Sequence, residues 1–423
     1  MTFTLTPIPE QTLPLQRRGL ITAIGLAEAA YAAAAALPLL LGLGLKIQQI
    51  APIGKETTLG VVTALSGAVI VITNPLSGYL SDRTTSRFGM RRPWVLGGAL
   101  VTLVGLLALA LADSIPIVAV GMMTTSAGTQ AMVAGLTATI VDQFPTAQRV
   151  RVAGTFSMCN MAGVVPALLI AQLFKDSPPI QFALVGLLTV TAAAFLCVVL
   201  PDRRLDPADR PPTNLRSLAS GLLVLPRGAR DYRLLWTQRL VVSFGIALIS
   251  AYSLYYLQSR LGMPAARATS LVGSTFLITT ALSALFAYLA GRWVQRTGRG
   301  RPFLRWSTAV LAVTLLLKAT TASVAVVVLV AIASGAALGV YYAIDLGLVT
   351  QVLPDEREAG RYLGAFAMAK QLPTAVAPAL APLLLDLGHD PFAGGPDYFL
   401  LFLTCGILTL VGLPLVGRLR EVR

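Results

Sequence analysis

Four ionisable residues sit inside long apolar stretches of this chain: Glu28, Arg239, Asp345 and Lys370. Glu28 lies ten residues past Arg18, Asp345 nine before Pro354 and Lys370 nine after Arg361. At about 1.5 Å per helical residue, each is ~14–15 Å along a helix, near the middle of a bilayer. A charge there costs roughly 2.5–3.5 kcal/mol on insertion scales, so it must be paired, solvated or used. The chemistry open to such a set is carriage: a carboxyl that takes and releases a proton beside a cation that tunes it. Glu28 and Asp345 are the candidate proton carriers, and Lys370 and Arg239 the candidate tuners. A permanent ion pair, such as Asp345 with Lys370, is the alternative use. Arg239 lies only a few residues inside its stretch and can reach the interface.

Catalysis is a poor match. Cys159, Cys197 and Cys405 are widely spaced in apolar stretches and read as packed hydrophobes. His389 is the single histidine and falls in a polar loop. With no nucleophile, metal set or closely paired acids, neither an enzyme nor a cofactor is expected.

The elements that must position these residues are helices. The chain of 423 residues is 55% hydrophobic and 12% charged, more apolar than a soluble core absorbs. Twelve apolar runs are each long enough to cross a bilayer: 19–44, 58–80, 94–112, 115–141, 153–174, 180–200, 234–258, 267–290, 303–322, 324–349, 361–385 and 397–416. Residues 201–233 form the one sizeable polar stretch, broken by prolines, with Leu215–Leu225 expected as a short interfacial helix. The expected organisation is therefore a six-helix bundle over 1–200, a cytoplasmic linker over 201–233 and a second six-helix bundle over 234–423.

Cations set the expected orientation. Of the 33 Lys and Arg, 25 fall in segments on the side of the two termini. That asymmetry places both termini in the cytoplasm of a multi-pass protein of the cell membrane. The first helix, interrupted by Glu28 and continuing past Pro38, reads as an uncleaved span. The net charge of +14 is then a topology signal, with anionic lipid as the partner of the basic loops and no role for nucleic acid.

A basic segment occurs twice. Tyr79, Arg83, Arg87, Gly89 and Pro93 are matched by Tyr288, Arg292, Arg296, Gly298 and Pro302, always 209 positions on. Pro145 and Pro354 keep that offset, and Gly154-Thr155-Phe156 aligns with Gly364-Ala365-Phe366 at 210. Ordered matches at one offset mark a duplicated transporter of two like-oriented bundles.

The segment Gly78-x-x-x-Asp82-Arg83, followed by Arg87, Gly89, Arg91, Arg92 and Pro93-Trp94, resembles the signature loop between the second and third helices of the major facilitator superfamily. Its longer form is similar to that of glycoside-pentoside-hexuronide symporters and sucrose transporters. The resemblance implies an all-α integral membrane fold of twelve helices in two pseudo-symmetric bundles. It also implies that this loop is a cytoplasmic latch. Asp82 would engage the second half when the cavity faces outward and release it when it faces inward. The second copy has Gly291 in place of the acid. The arginines have a second expected use, anchoring to headgroups.

The resemblance further implies that spans one, four, seven and ten line a central cavity. Glu28, Gln130, Arg239 and Asp345 would face it, with Tyr31, Tyr252, Tyr341 and Tyr342 nearby. Asn160 and Lys370 occupy equivalent places, 210 residues apart. The expected function is proton-coupled secondary transport of a small organic solute, glycoside-like on the loop resemblance, by a monomer. Proton-driven export of amphipathic drugs or natural products is the alternative, supported by Gly154 and Gly163 on span five, although Val165-Pro166-Ala167 departs from the exporter pattern. A lipid flippase on the same fold is the remote alternative. Gly335 and Gly339 read as a close-packing face, and Pro38, Pro75 and Pro166 as helix bends.

Overall fold

A computed structural model describes residues 15–144, 146–174, 177–202, 204–205, 230–297, 299–352 and 359–419. Leu15–Leu37 (α1) passes through a π-helical turn, Pro38–Gly42, into Leu43–Ile50 (α2), and together these form the first span. Then come Lys55–Ser81 (α3), Arg92–Leu111 (α4), Ile115–Gln143 (α5), Thr146–Leu173 (α6) and Pro178–Val199 (α7). The second half holds Arg230–Arg260 (α8), Ala265–Thr297 (α9), Arg301–Thr320 (α10), Val324–Gln351 (α11), Ala359–Leu385 (α12) and Tyr398–Gly417 (α13). These are the twelve expected spans of an all-helical membrane fold. The linker residues 206–229, with the expected interfacial helix at Leu215–Leu225, and the paired Pro145 and Pro354 lie outside the described residues.

Local chemistry explains the element ends. Pro93 and Pro302 both stand in the first turn of their helices, where a missing N–H costs nothing. Pro38 removes a helical donor, and the chain absorbs the loss as a π turn closed by Leu43 N–H on the Pro38 carbonyl. Asp397 caps α13 by accepting from the Leu400 amide at 2.8 Å. Two boundaries differ from the sequence reading. α8 begins at Arg230, so Arg239 is nine residues deep and not near an interface. α9 runs on to Thr297, so the second basic segment is mostly helical where the first is a loop. Val294-Gln295-Arg296 offers no turn residue, whereas the first copy turns at Asp82 and again at Gly89.

Glycines set how closely the helices approach. A Cβ at Gly98, Gly105 or Gly128 would lie 2.4–2.5 Å from backbone nitrogen across the α4–α5 contact. Gly335 and Gly339 press in the same way on Thr279 and Ser283 of α9. Between the halves, α3 packs on α12 and α6 on α9. A Cβ at Gly67 would sit 2.2 Å from Ala375 Cα, and one at Gly60 would sit 2.6 Å from the Pro378 carbonyl.

Among the described residues, the two halves share an apolar core at one end only. One apolar core joins Leu43, Ile47 and Leu59 of the first half with Tyr252, Tyr255 and Leu385 of the second, at the end away from the basic loop. At the basic-loop end the core is split in two, around Val95, Leu136 and Leu196 in one half and around Leu235, Leu304 and Leu348 in the other. The cleft between halves therefore opens toward the basic loop.

Closure rests on the Gly67–Ala375 contact. Gly67→Val should hold the closed end apart. Gln258→Cys in a background without native cysteines should then react with an impermeant maleimide faster than in the parent; an unchanged rate would show that this contact does not control closure.

Candidate functional site

The expected site residues form two buried networks, one in each half. In the first, Glu28 is 1% exposed, and its Oε1 accepts from Asn160 Nδ2 at 2.6 Å. Its Oε2 is buried with no partner. Close α1–α6 packing brings the two together, since a Cβ at Gly163 would lie 2.1 Å from the Ala29 carbonyl. Tyr31 follows one turn further along α1, and on the neighbouring helices Gln130 Oε1 accepts from Asn74 Nδ2 at 2.6 Å. Asn74, read from the sequence only as part of a helix bend, is thus a network member.

In the second half, Asp345 Oδ2 pairs with Arg239 Nη1 at 2.8 Å, with Asp345 1% exposed. The direct partner of Asp345 is thus Arg239, whereas Lys370, the alternative partner, reaches Asp345 only at longer range. Arg239 also lies 4.4 Å over the Phe366 ring. Tyr341 is fully buried and donates to Gln238 Oε1 at 3.3 Å, while Gln238 Nε2 donates to Thr308 Oγ1 at 3.1 Å. Tyr341 therefore supports α11 against α8 and does not line a cavity. Gln238 gave no signal in sequence beyond its place next to Arg239.

Lys370 is different. It is exposed within the cleft and lies 5.0 Å over the Tyr342 ring. Among the described residues it makes no ion pair. The pocket it enters is lined by Leu39 of the first half and by Ser243, Ser250, Tyr342 and Thr374 of the second. A bare ammonium, an aromatic face and hydroxyls thus converge between the halves.

Tyr252 lies away from this pocket, at the closed end. Its hydroxyl serves the Glu56 and Pro378 carbonyls at 3.2 and 3.1 Å, and Tyr255 donates across the halves to the Gly44 carbonyl at 2.8 Å. Lys55 Nζ donates to Gln258 Oε1 at 3.2 Å beside them. Tyr252 is therefore part of a closure, which the expectation of a cavity residue did not anticipate.

The basic loop is built around Arg91, which is 6% exposed. Its Nη1 donates to Asp82 Oδ1 and to Ser81 Oγ, both at 2.8 Å, and its Nε donates to Asp142 Oδ2 at 2.7 Å. Burial works against the Arg91 charge, but the hydrogen bonds to Asp142 and Asp82 outweigh it and hold its pKa above the ordinary arginine range. Asp202 accepts from the Arg91 and Arg92 amides at 2.8 and 2.9 Å, capping α4 from the far side of the bundle. Gly89, at φ +105°, passes so close that a Cβ would lie 2.1 Å from Asp202 Oδ2. Arg92 bonds the Leu200 carbonyl, and Arg83 stacks 3.6 Å over Tyr79. Arg87 lies over Phe88, and Gly78 faces open space. Asp82 is thus held inside its own half in this conformation.

The Arg239–Asp345 pair yields a stability prediction. Removing one member of a buried pair costs on the order of 3–5 kcal/mol because the other charge is stranded. Asp345→Asn should lower the melting temperature sharply, while Arg239→Gln with Asp345→Asn should recover most of it. A double-mutant cycle by thermal unfolding reads the coupling, and additive losses would show that the pair is not a unit.

The cleft, the two networks and the loop belong to a known architecture. The solved structure of a point mutant of the nucleoside transporter NupG superposes with a TM-score of 0.72 at 12% identity, covering 94% of this chain and 99% of that one. A peptide transporter, POT, in complex with sulfate gives 0.72 at 15% identity with 96% of each chain covered. The human organic anion transporter MFSD10 gives 0.65 at 18% identity, over 96% of this chain and all of its own. A search among proteins of curated function returned no match. The sequence model of the Major Facilitator Superfamily matches residues 19–283 and 240–423, nearly the whole chain. Two six-helix halves around a polar cleft and that match together make this protein a membrane transporter, not an enzyme, that belongs to the Major Facilitator Superfamily.

Proposed function

We propose that this protein is a proton-coupled secondary transporter, working by alternating access, whose solute is a small organic molecule carrying an anionic group. The observation that carries the reading is Lys370, an ammonium exposed in the cleft that makes no ion pair among the described residues and shares Asp345 only at longer range with Arg239, the direct partner of that acid. An uncompensated cation is costly at mid-membrane, and a solute carboxylate or phosphate supplies the missing charge. Tyr342 offers the solute a ring face, and Ser243, Ser250 and Thr374 offer hydroxyls.

Glu28 is the proposed proton carrier. Its surroundings hold one amide and no cation, so the protonated form needs nothing further while the ionised form lacks a counter-charge. A cycle that alternately wets and dries Glu28 would bind and release a proton in step with the solute. With the basic loop in the cytoplasm, as the charge asymmetry favours, the cleft described here faces inward. The Asp82–Arg91 bond then represents the released latch.

A second reading, a neutral glycoside, rests on the loop resemblance and on the hydroxyls around Tyr342. It requires Lys370 to serve the protein alone.

External pH in proteoliposomes separates the readings. On adding small carboxylates, neutral glycosides and an amphipathic amine in turn, the carboxylates should give alkalinisation. Glu28→Gln should abolish accumulation while sparing solute exchange, and unchanged accumulation would sink the coupling role. Lys370→Gln should raise the KM for a carboxylate by roughly 10–100-fold, the worth of a charged hydrogen bond. A glycoside response indifferent to Lys370→Gln would move the assignment to the neutral solute.

A further inference from the structure

A second cation that makes no ion pair among the described residues lies behind the wall of the cleft, within the second half. Lys318 stands two residues before the end of α10, where a lysine can extend into water. Its side chain turns inward instead and is 6% exposed. Nζ donates to Ser253 Oγ at 3.0 Å and lies 5.1 Å from the Tyr256 ring centre and 4.8 Å from that of Phe402. None of the ion pairs among the described residues includes it. Asp390, the carboxylate near Tyr256, is taken by Arg260 Nη1 at 2.6 Å and by the Phe392 amide at 3.0 Å.

Beside Lys318 is a cavity of about 100 Å³ within the second half, between α8, α9, α10, α11 and α13. Its walls are mostly apolar, with Ser253, Thr275 and Thr314 among its hydroxyls. Each of these now donates to a carbonyl of its own helix, at 2.5, 2.8 and 2.7 Å in that order. A hydroxyl so placed can rotate its hydrogen toward a better acceptor.

We propose that this cavity binds one small monovalent anion, a halide or a short carboxylate such as formate, on the Lys318 ammonium. The Ser253 and Thr314 hydroxyls complete its coordination. The charge matches, since one ammonium balances one negative charge in a place where neither is stable alone. The space admits such an ion, since its roughly 100 Å³ is several times what a single water requires. The cation–π contacts and the negative end of α10 offset part of the lysine's cost. They fill no cavity.

The test is performed on the full chain in nanodiscs, with gluconate as the background anion at constant ionic strength. Radioactive chloride should bind saturably at one site per chain, and the melting temperature should rise over the same range. Competition by bromide and by formate distinguishes a halide site from a carboxylate site. Lys318→Met should remove both the binding and the chloride-dependent shift. Should that variant fail to fold, Ser253→Ala with Thr314→Val keeps the lysine and should weaken chloride at least tenfold. Absence of saturable binding to the parent, or binding unchanged in these variants, overturns the proposal and leaves Lys318 a packing residue.

Discussion

A bilayer gives an ionisable side chain nothing to pair with, so every charge that this sequence places in a span must be answered from within the protein. The second half answers with pairs. Arg239 meets Asp345, and Arg260 meets Asp390, both pairs almost wholly buried. The first half answers with amides: Asn160 holds Glu28, and Asn74 bonds Gln130. The helix positions follow the duplication closely, yet the electrostatic solutions differ. A fixed pair stiffens the helices that carry it, whereas an acid on an amide keeps two protonation states open. On the proposed function, this division would let one half hold the solute and the other a proton.

The same asymmetry appears in the basic segments. The first copy is a loop folded on a buried arginine, with carboxylates arriving from Asp82, Asp142 and Asp202. These tie the ends of α3, α4, α5 and α7 into one body. The second copy lacks the acid and continues as helix to Thr297. A half that moves as a unit needs its helix ends fastened at one face, and Arg91 does so with carboxylates of its own half. At the opposite face Tyr252, Tyr255 and Lys55 bridge the halves. An end closed largely by hydrogen bonds to backbone carbonyls suits a rocking motion about the α3–α12 contact.

Much of this is written in the sequence, and the parts that are not have physical reasons. Spans were legible because a bilayer-crossing helix needs about twenty apolar residues, a strong and local signal. The duplicated loop was legible because its glycine, proline and arginines recur at one offset. Pairing was not. Whether Asp345 meets Arg239 or Lys370 depends on which faces of α8, α11 and α12 pack together, and sequence spacing does not show that. Tyr252 looked like a cavity residue because its depth is visible in sequence while its facing is not. Lys318 gave no signal, because its place near a helix end says nothing about the direction of its side chain. Asp202 gave no signal, since its role arises from a contact 110 residues away.

Helix α8 links the two uncompensated lysines. Ile246 and Ser250 line both the Lys370 pocket and the Lys318 cavity, so one wall separates the cleft from the interior of the second half. α8 also carries Arg239 below and Tyr252 and Tyr255 above, and thus touches the ion pair, the Lys370 pocket and the closure in one continuous helix. Movement of α8 relative to the first half breaks the tyrosine contacts at the closed end. The Arg239–Asp345 pair ties α8 to α11, so a motion that opens that end carries α11 along. Charge compensation therefore fixes more than the depth of single residues: it decides which helices move together.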